Sequence, residues 1–246
     1  MAGKMIISLD FELFWGLLED MKLLQRLLRR GRVAAVLPRI VHDGELPALK
    51  QAMVAVRQLG VKEVLVGNLG LLVPAQECRM ELRGDFGLNL YNSGAVNLAR
   101  QLELRSATLS FEMTLPQIRD VSKAVPCEIL AYGRLPLMVT ENCLIRGRTG
   151  QCSCQQSGVT KLVDKTGAEF PVIRDGDSCR SVVLNGKKLY WLDKMDSLGK
   201  LGLWANRLYF TTENPKEVDM VLASIRNPQP FDQAKCTRGL YLRGLD

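Results

Sequence analysis

Histidine is almost missing from this chain: 246 residues contain one, His42. HExxH zinc chemistry, which needs two histidines, is thereby excluded, and any Ser-His-Asp or Cys-His arrangement would have to use His42 alone. Long apolar runs are missing too, none approaching the roughly 20 residues that span a bilayer. No membrane partner is therefore expected. The opening MAGKMIISLDFELFW carries one lysine, an acidic residue inside its apolar stretch and no small-residue cleavage site after it. That is a poor signal peptide, so the expected compartment is the cytoplasm. Internal repeats and low-complexity segments are likewise absent.

What is present is an ordinary globular composition with a basic excess. The hydrophobic fraction of 47% and charged fraction of 24% suit a folded domain. A formal charge of +7 suits an anionic partner such as RNA. The seven cysteines are Cys78, Cys127, Cys143, Cys152, Cys154, Cys179 and Cys236. An odd count without an export signal argues against a disulfide framework. Reduced thiols are then buried small residues or metal ligands.

Residues 1–135 alternate between short β-branched runs and amphipathic stretches of helical period. MIISLDFELF, RVAAVLPRIV, KEVLVGN, ELRGDFGLNLYN, SATLSFEM and CEILAYGR read as strands. The helices between them include EDMKLLQRLLRRG and ELPALKQAMVAVRQLG. Six strands with five intervening helices indicate βα units on a parallel sheet. An eightfold barrel takes about 250 residues, and this region supplies little more than half of that. The expected fold class is α/β: a partial (β/α) TIM-type barrel, followed over 136–246 by a small cysteine-containing α+β region. A partial barrel exposes sheet edges, which predicts an oligomer or a missing barrel half supplied by another chain. Beyond Pro136 the texture is that of short antiparallel strands, with turns at Thr166-Gly167 and Asn185-Gly186. PKEVDMVLASIRN reads as a last helix with proline at its first position, and the tail CTRGLYLRGLD is basic.

Cys143, Cys152, Cys154 and Cys179 are spaced C-x8-C-x-C-x24-C. Soft thiolates select iron–sulfur clusters or zinc. A structural zinc site usually shows two tight knuckles, and neither is here, whereas a [4Fe–4S] cube tolerates uneven spacing. Inert thiols remain the competing reading. His42 sits near the end of a predicted strand with Asp43 beside it, an arrangement open to catalysis or to simple capping of the next helix. Asp10 and Glu12 share a strand face, with no further histidines to complete a metal site. GNLG (67–70) and GDFGLNLYNS (84–93) suit tight turns or close backbone approach, and neither matches GxGxxG or a Walker loop.

VLPRIVHDGE, VLVGNLG, GDFGLNLYNS, LSFEMTLPQI and above all YGRLPLMVTENC resemble the peptidase U32 family, also called collagenase-like proteases. FPVIRD, CRSVVLN, RLYFTTE and TRGLYLRG extend the likeness. It runs from about residue 33 to the C-terminus and covers the later part of longer members. The resemblance implies a (β/α) barrel with a [4Fe–4S] cluster on four cysteines after the last barrel strands. By order, it implies Cys143 and Cys152 as the first pair, Cys179 before Arg180 as a later ligand, and Cys154 as the fourth. Cys236 is the rival fourth ligand, and Cys78 and Cys127 are structural. It further implies either a metal-dependent peptidase or oxygen-independent hydroxylation of tRNA bases, rRNA bases or ubiquinone precursors. A peptidase needs an activated nucleophile or a metal-bound water with a base. With one histidine, the residues favour RNA hydroxylation, and a non-catalytic cluster-binding subunit is the third reading. Candidate catalytic groups are His42, Asp43 and Glu141. Candidate phosphate contacts are Arg134, Arg146, Arg148, Lys161, Lys165, Arg238 and Arg243.

Overall fold

A computed structural model describes residues 6–10, 21–150, 160–175 and 180–243. They form two compact units: residues up to Ser110 with Asp120–Cys127, and Phe111–Arg119 with Glu128 onward. The division thus falls before the boundary expected at residue 135, because the segment YGRLP belongs with the C-terminal unit.

The N-terminal unit alternates as its periodicity predicts. Its elements are β1 (Ile6–Asp10), α1 (Met21–Arg30), β2 (Arg32–Val36), α2 (Leu46–Gln58), β3 (Glu63–Val66), α3 (Leu72–Glu77), β4 (Glu81–Gly84), α4 (Ser93–Gln101) and β5 (Ala107–Thr108). The strands pair in parallel in the order β1-β2-β3-β4-β5. Val33, Ala34, Ala35, Val64, Leu65 and Val66 are all buried, as strands covered on both faces must be. α2 shows Leu49, Ala52, Met53 and Val56 to the core at helical spacing. β4 ends sooner than ELRGDFGLNLYN suggests. Asp85 accepts the Phe86 N–H at 2.8 Å and Asn89 adopts φ 49°, which turns the chain out of the strand.

A buried ion pair crosses this sheet. Arg83 donates through Nε to Glu63 at 2.8 Å and through Nη1 to Ser106 Oγ at 2.6 Å. Arg32 adds a further donor to Glu63 at 3.0 Å. Each buried charge therefore has several partners, the condition under which such a pair is tolerated.

The C-terminal unit begins with α5 (Leu115–Asp120) and β6 (Cys127–Gly133) and holds two sheets. In one, β6 pairs in parallel with β12 (Ala205–Tyr209) and antiparallel with β11 (Lys188–Tyr190). β11 pairs in turn with β13 (Cys236–Thr237). The other is antiparallel, in the order β7 (Pro136–Thr140), β10 (Arg180–Leu184), β9 (Glu169–Asp175), β8 (Thr160–Val163). α6 (Leu144–Thr149), α7 (Met195–Gly199) and α8 (Pro215–Ser224) complete it. A capping box between Asn214 and Glu217 starts α8.

The Thr166-Gly167 turn joins β8 to β9 as expected, with Asp164 accepting from Thr166 and Ala168. The other expected turn differs. Asn185-Gly186 joins β10 to β11, strands of different sheets, so it makes no hairpin. The C-terminal tail is woven into the core rather than left as a basic surface. Tyr241 is buried, donates its hydroxyl to the Leu130 carbonyl at 2.8 Å and packs on Trp191. Gly133 sits at φ 128°, and a Cβ there would overlap the Tyr209 carbonyl across the β6–β12 pair.

Gly133→Ala is therefore expected to cost at least about 2 kcal/mol of stability through strain and overlap. It should be read as a lowered urea midpoint. An unchanged midpoint would contradict the close β6–β12 approach.

Candidate functional site

In the antiparallel sheet, the strand termini that flank both cysteine-bearing connections lie at one end. Ser181 stands opposite Thr140, Arg180 opposite Asp175 and Thr160 opposite Val172. The end of β7, the start of β10, the end of β9 and the start of β8 are thus neighbours. Two connections leave from that end. The β7–β8 connection contains Cys143, Cys152 and Cys154, and the β9–β10 connection contains Cys179. β7 and β8 lie at opposite edges of this sheet. Cys152, Cys154 and Cys179 lie outside the described residues.

The described part of the end is tied together by polar contacts. Arg180 donates through Nε to Glu141 at 2.7 Å, with Arg180 only 5% exposed and Glu141 55% exposed. The Leu144 N–H donates to Ser181 Oγ at 3.3 Å. Cys143 occupies the first capping position of α6, where its Sγ accepts the Arg146 N–H at 3.4 Å. The sulfur is thus half-exposed and accepts one backbone N–H. Among the described residues, no three His, Cys, Asp or Glu side chains converge as a metal site. Cys143 itself fits a cluster ligand in exposure and hydrogen bonding.

The other cysteines have different surroundings. Cys236 lies on β13, in the other sheet, and burial foremost raises its thiol pKa. Cys127 is buried and donates to the Val125 carbonyl at 3.2 Å. Cys78 is buried, and burial raises its thiol pKa as well.

Glu141, as described, is held by Arg180. His42 and Asp43 are exposed in the turn before α2. There the His42 N–H donates to Glu45 Oε2 at 2.8 Å and its carbonyl accepts the Glu45 N–H. These contacts use the His42 backbone, and the residue that starts α2 is Glu45. The two glycine-rich loops meet as close backbone approach requires, a Cβ on Gly87 falling 2.6 Å from the Gly67 carbonyl.

Two of the arginines expected to contact phosphate are committed inside the protein. Arg238 makes a fork to Asp193 at 2.6 and 2.7 Å and lies over the Phe231 and Trp191 rings. Arg134 donates to the Asn185 and Gly186 carbonyls and to Thr212. Their partners lie 45 and 51 residues away in sequence, and nothing local to either arginine announces them. Arg146 and Arg243 are exposed; Arg148 follows on α6; Lys165 is exposed and Lys161 pairs with Glu169 at 2.6 Å. Beside Arg134, Tyr132 donates to the buried Glu213 at 3.0 Å and Lys188 pairs with the same carboxylate at 2.9 Å. The Tyr-Gly-Arg stretch that stands out in the sequence is thus a structural knot.

The family model described as Peptidase family U32 matches residues 18–227. No curated protein and no solved structure matches the chain.

The Arg238 fork holds the Asp193 carboxyl below the usual carboxylate range. A depressed folded pKa adds stability above the unfolded value of about 3.9 and loses it as pH falls through the folded value. Arg238→Met should lower stability by about 2 kcal/mol at pH 7, with the gap to wild type narrowing steadily below about pH 4. Urea titrations across pH 3–7 check this; a pH-independent gap would show that the fork contributes nothing through Asp193.

Proposed function

We infer the function from one premise: this chain belongs to peptidase family U32. The reading best supported is an iron–sulfur protein that assists oxygen-independent hydroxylation of a tRNA or rRNA base in the cytoplasm. The observation that carries it is the shared sheet end. Both cysteine-bearing connections start and finish there, and Arg180, directly after Cys179, bonds Glu141, two residues before Cys143. Cys143, Cys152, Cys154 and Cys179 would hold a [4Fe–4S] cluster. When bound, that cluster supplies one-electron chemistry at a potential set by hydrogen bonds and exposure.

The chain's own residues would do the rest. The Arg146 N–H bonds the Cys143 sulfur, and the buried Arg180, bonded to Glu141, would contribute cationic charge near an anionic cluster. Exposed Arg146 and Arg243 are available to phosphate. The five parallel strands read as part of a TIM-type barrel, its remainder supplied by another copy or another chain. Cys236 is a poorer fourth ligand than Cys154 because it stands on the other sheet and burial favours its protonated thiol. The peptidase reading would have to use His42, the one histidine of the sequence, which lies in an exposed helix-start turn.

Protein purified without oxygen should carry iron and acid-labile sulfide, lost in Cys143→Ser and Cys179→Ser and kept in Cys236→Ser. Mass spectrometry of RNA nucleosides from a deletion strain should show a missing hydroxylated base. Intact iron in Cys143→Ser would overturn the ligand set, and an unchanged nucleoside profile together with lost gelatin cleavage would favour the peptidase.

A further inference from the structure

Helix α1 carries a one-sided charge pattern that neither the cysteine site nor the sheet requires. Its sequence is MKLLQRLLRR, with no acidic residue in its ten positions. At about 100° per residue, Lys22, Arg26, Arg29 and Arg30 fall within an arc of about 100°. All four are exposed. None has an ion-pair partner among the described residues. Arg32, just beyond the helix, is different, because Glu63 takes its guanidinium.

The opposite arc is already occupied. Leu24 is 0% exposed, and Leu27 and Leu28 are half-buried. Leu28 Cδ1 lies 3.5 Å from where a Cβ on Gly60 would be, at the end of α2. Leu24 thus packs within the unit with Leu27 and Leu28 half-buried, which leaves Leu23, 37% exposed at the edge of the basic arc, short of the broad apolar face that an interfacial helix demands.

Keeping this stripe has a cost. Lys22–Arg26 and Arg26–Arg30 are like-charge pairs at i,i+4, and Arg26–Arg29 is one at i,i+3. Each destabilises a helix by about 0.2–0.5 kcal/mol. The helix dipole disfavours Lys22 in the first turn and favours Arg29 and Arg30 in the last, so the cost lies in the like-charge pairs. A merely solvated helix relieves such repulsion with glutamate on the same face, and α1 has none. The repulsion is relieved when anions line the face.

We propose that the outer face of α1 is a nucleic-acid backbone surface, on which Lys22, Arg26, Arg29 and Arg30 contact consecutive phosphates of RNA. This rests on the RNA reading above and names a surface for it. Residues 22 to 30 span about 12 Å of helix at 1.5 Å per residue. That span is long enough to meet more than one phosphate of a strand. Contacts of this kind fix position and carry no sequence information, so the surface holds the RNA while another region selects the base.

The test is the salt dependence of RNA binding by the full chain purified without oxygen. The probe is a fluorescein-labelled, unstructured 20-nucleotide RNA, followed by anisotropy in KCl from about 50 to 300 mM, the range over which phosphate contacts dominate affinity. For single strands each lost contact reduces the slope of log K against log salt by about 0.7. The double variant R26Q/R29Q should lose about 1.4 in slope and bind about 25-fold more weakly at 100 mM salt. R26K/R29K, which keeps both charges, should retain the wild-type slope and show that charge rather than helix integrity is being read. Equal slopes for wild type and R26Q/R29Q would overturn this surface while leaving RNA binding in place. Wild type that binds no RNA would overturn both. Co-sedimentation with phosphatidylserine-containing vesicles that is lost in R26Q/R29Q, with RNA binding unaffected, would assign the stripe to a membrane surface instead.

Discussion

Antiparallel pairing leaves a chain little freedom about where its connections run. In the order β7-β10-β9-β8, the register Ser181 to Thr140, Arg180 to Asp175 and Thr160 to Val172 puts four strand termini at one end. Every cysteine of the expected ligand set belongs to a connection leaving that end. The Arg180–Glu141 bond then couples the two connections directly, and Arg180 is buried enough for that bond to matter. The proposed cluster needs thiolates from distant sequence positions, and this topology starts and ends both connections at one sheet end without a compact Cys-x-x-Cys motif.

The same unit uses its other conspicuous residues for architecture. Tyr132, Gly133 and Arg134 each serve a different structural need: a hydroxyl for Glu213, a bare backbone against Tyr209, and a guanidinium for two turn carbonyls. The tail does likewise through Arg238 and Tyr241. Basic residues inside a memorable motif are thus not automatically ligand contacts. In α1, by contrast, the cations are exposed, and Leu24 on the opposite arc is packed.

Much of the fold could be read from periodicity. Six strands and five helices up to Gly133 occur where β-branched runs and helical spacing place them. The Asp164–Ala168 turn was legible because an aspartate before Thr-Gly supplies the hydrogen bonds that the turn needs. What escaped was long-range. Asn185-Gly186 has hairpin chemistry, yet its flanking strands pair elsewhere: Val183 with Met138 and Val172, and Leu189 with Gly133. The early end of β4 was hidden in a string of apolar residues that Asp85 and Asn89 redirect. Arg134 and Arg238 looked like surface cations because their partners are distant in sequence. Cys78 and Cys127, read as structural, are buried thiols.

One four-iron cluster at the shared sheet end is the central proposal. Mössbauer spectroscopy of the full chain, purified without oxygen from cells grown on iron-57, tests it most directly. The prediction is a [4Fe–4S] spectrum accounting for nearly all the iron, which disappears when Cys143 is replaced by alanine. Iron present only as mononuclear or two-iron species, or a four-iron spectrum unaffected by that replacement, would contradict it.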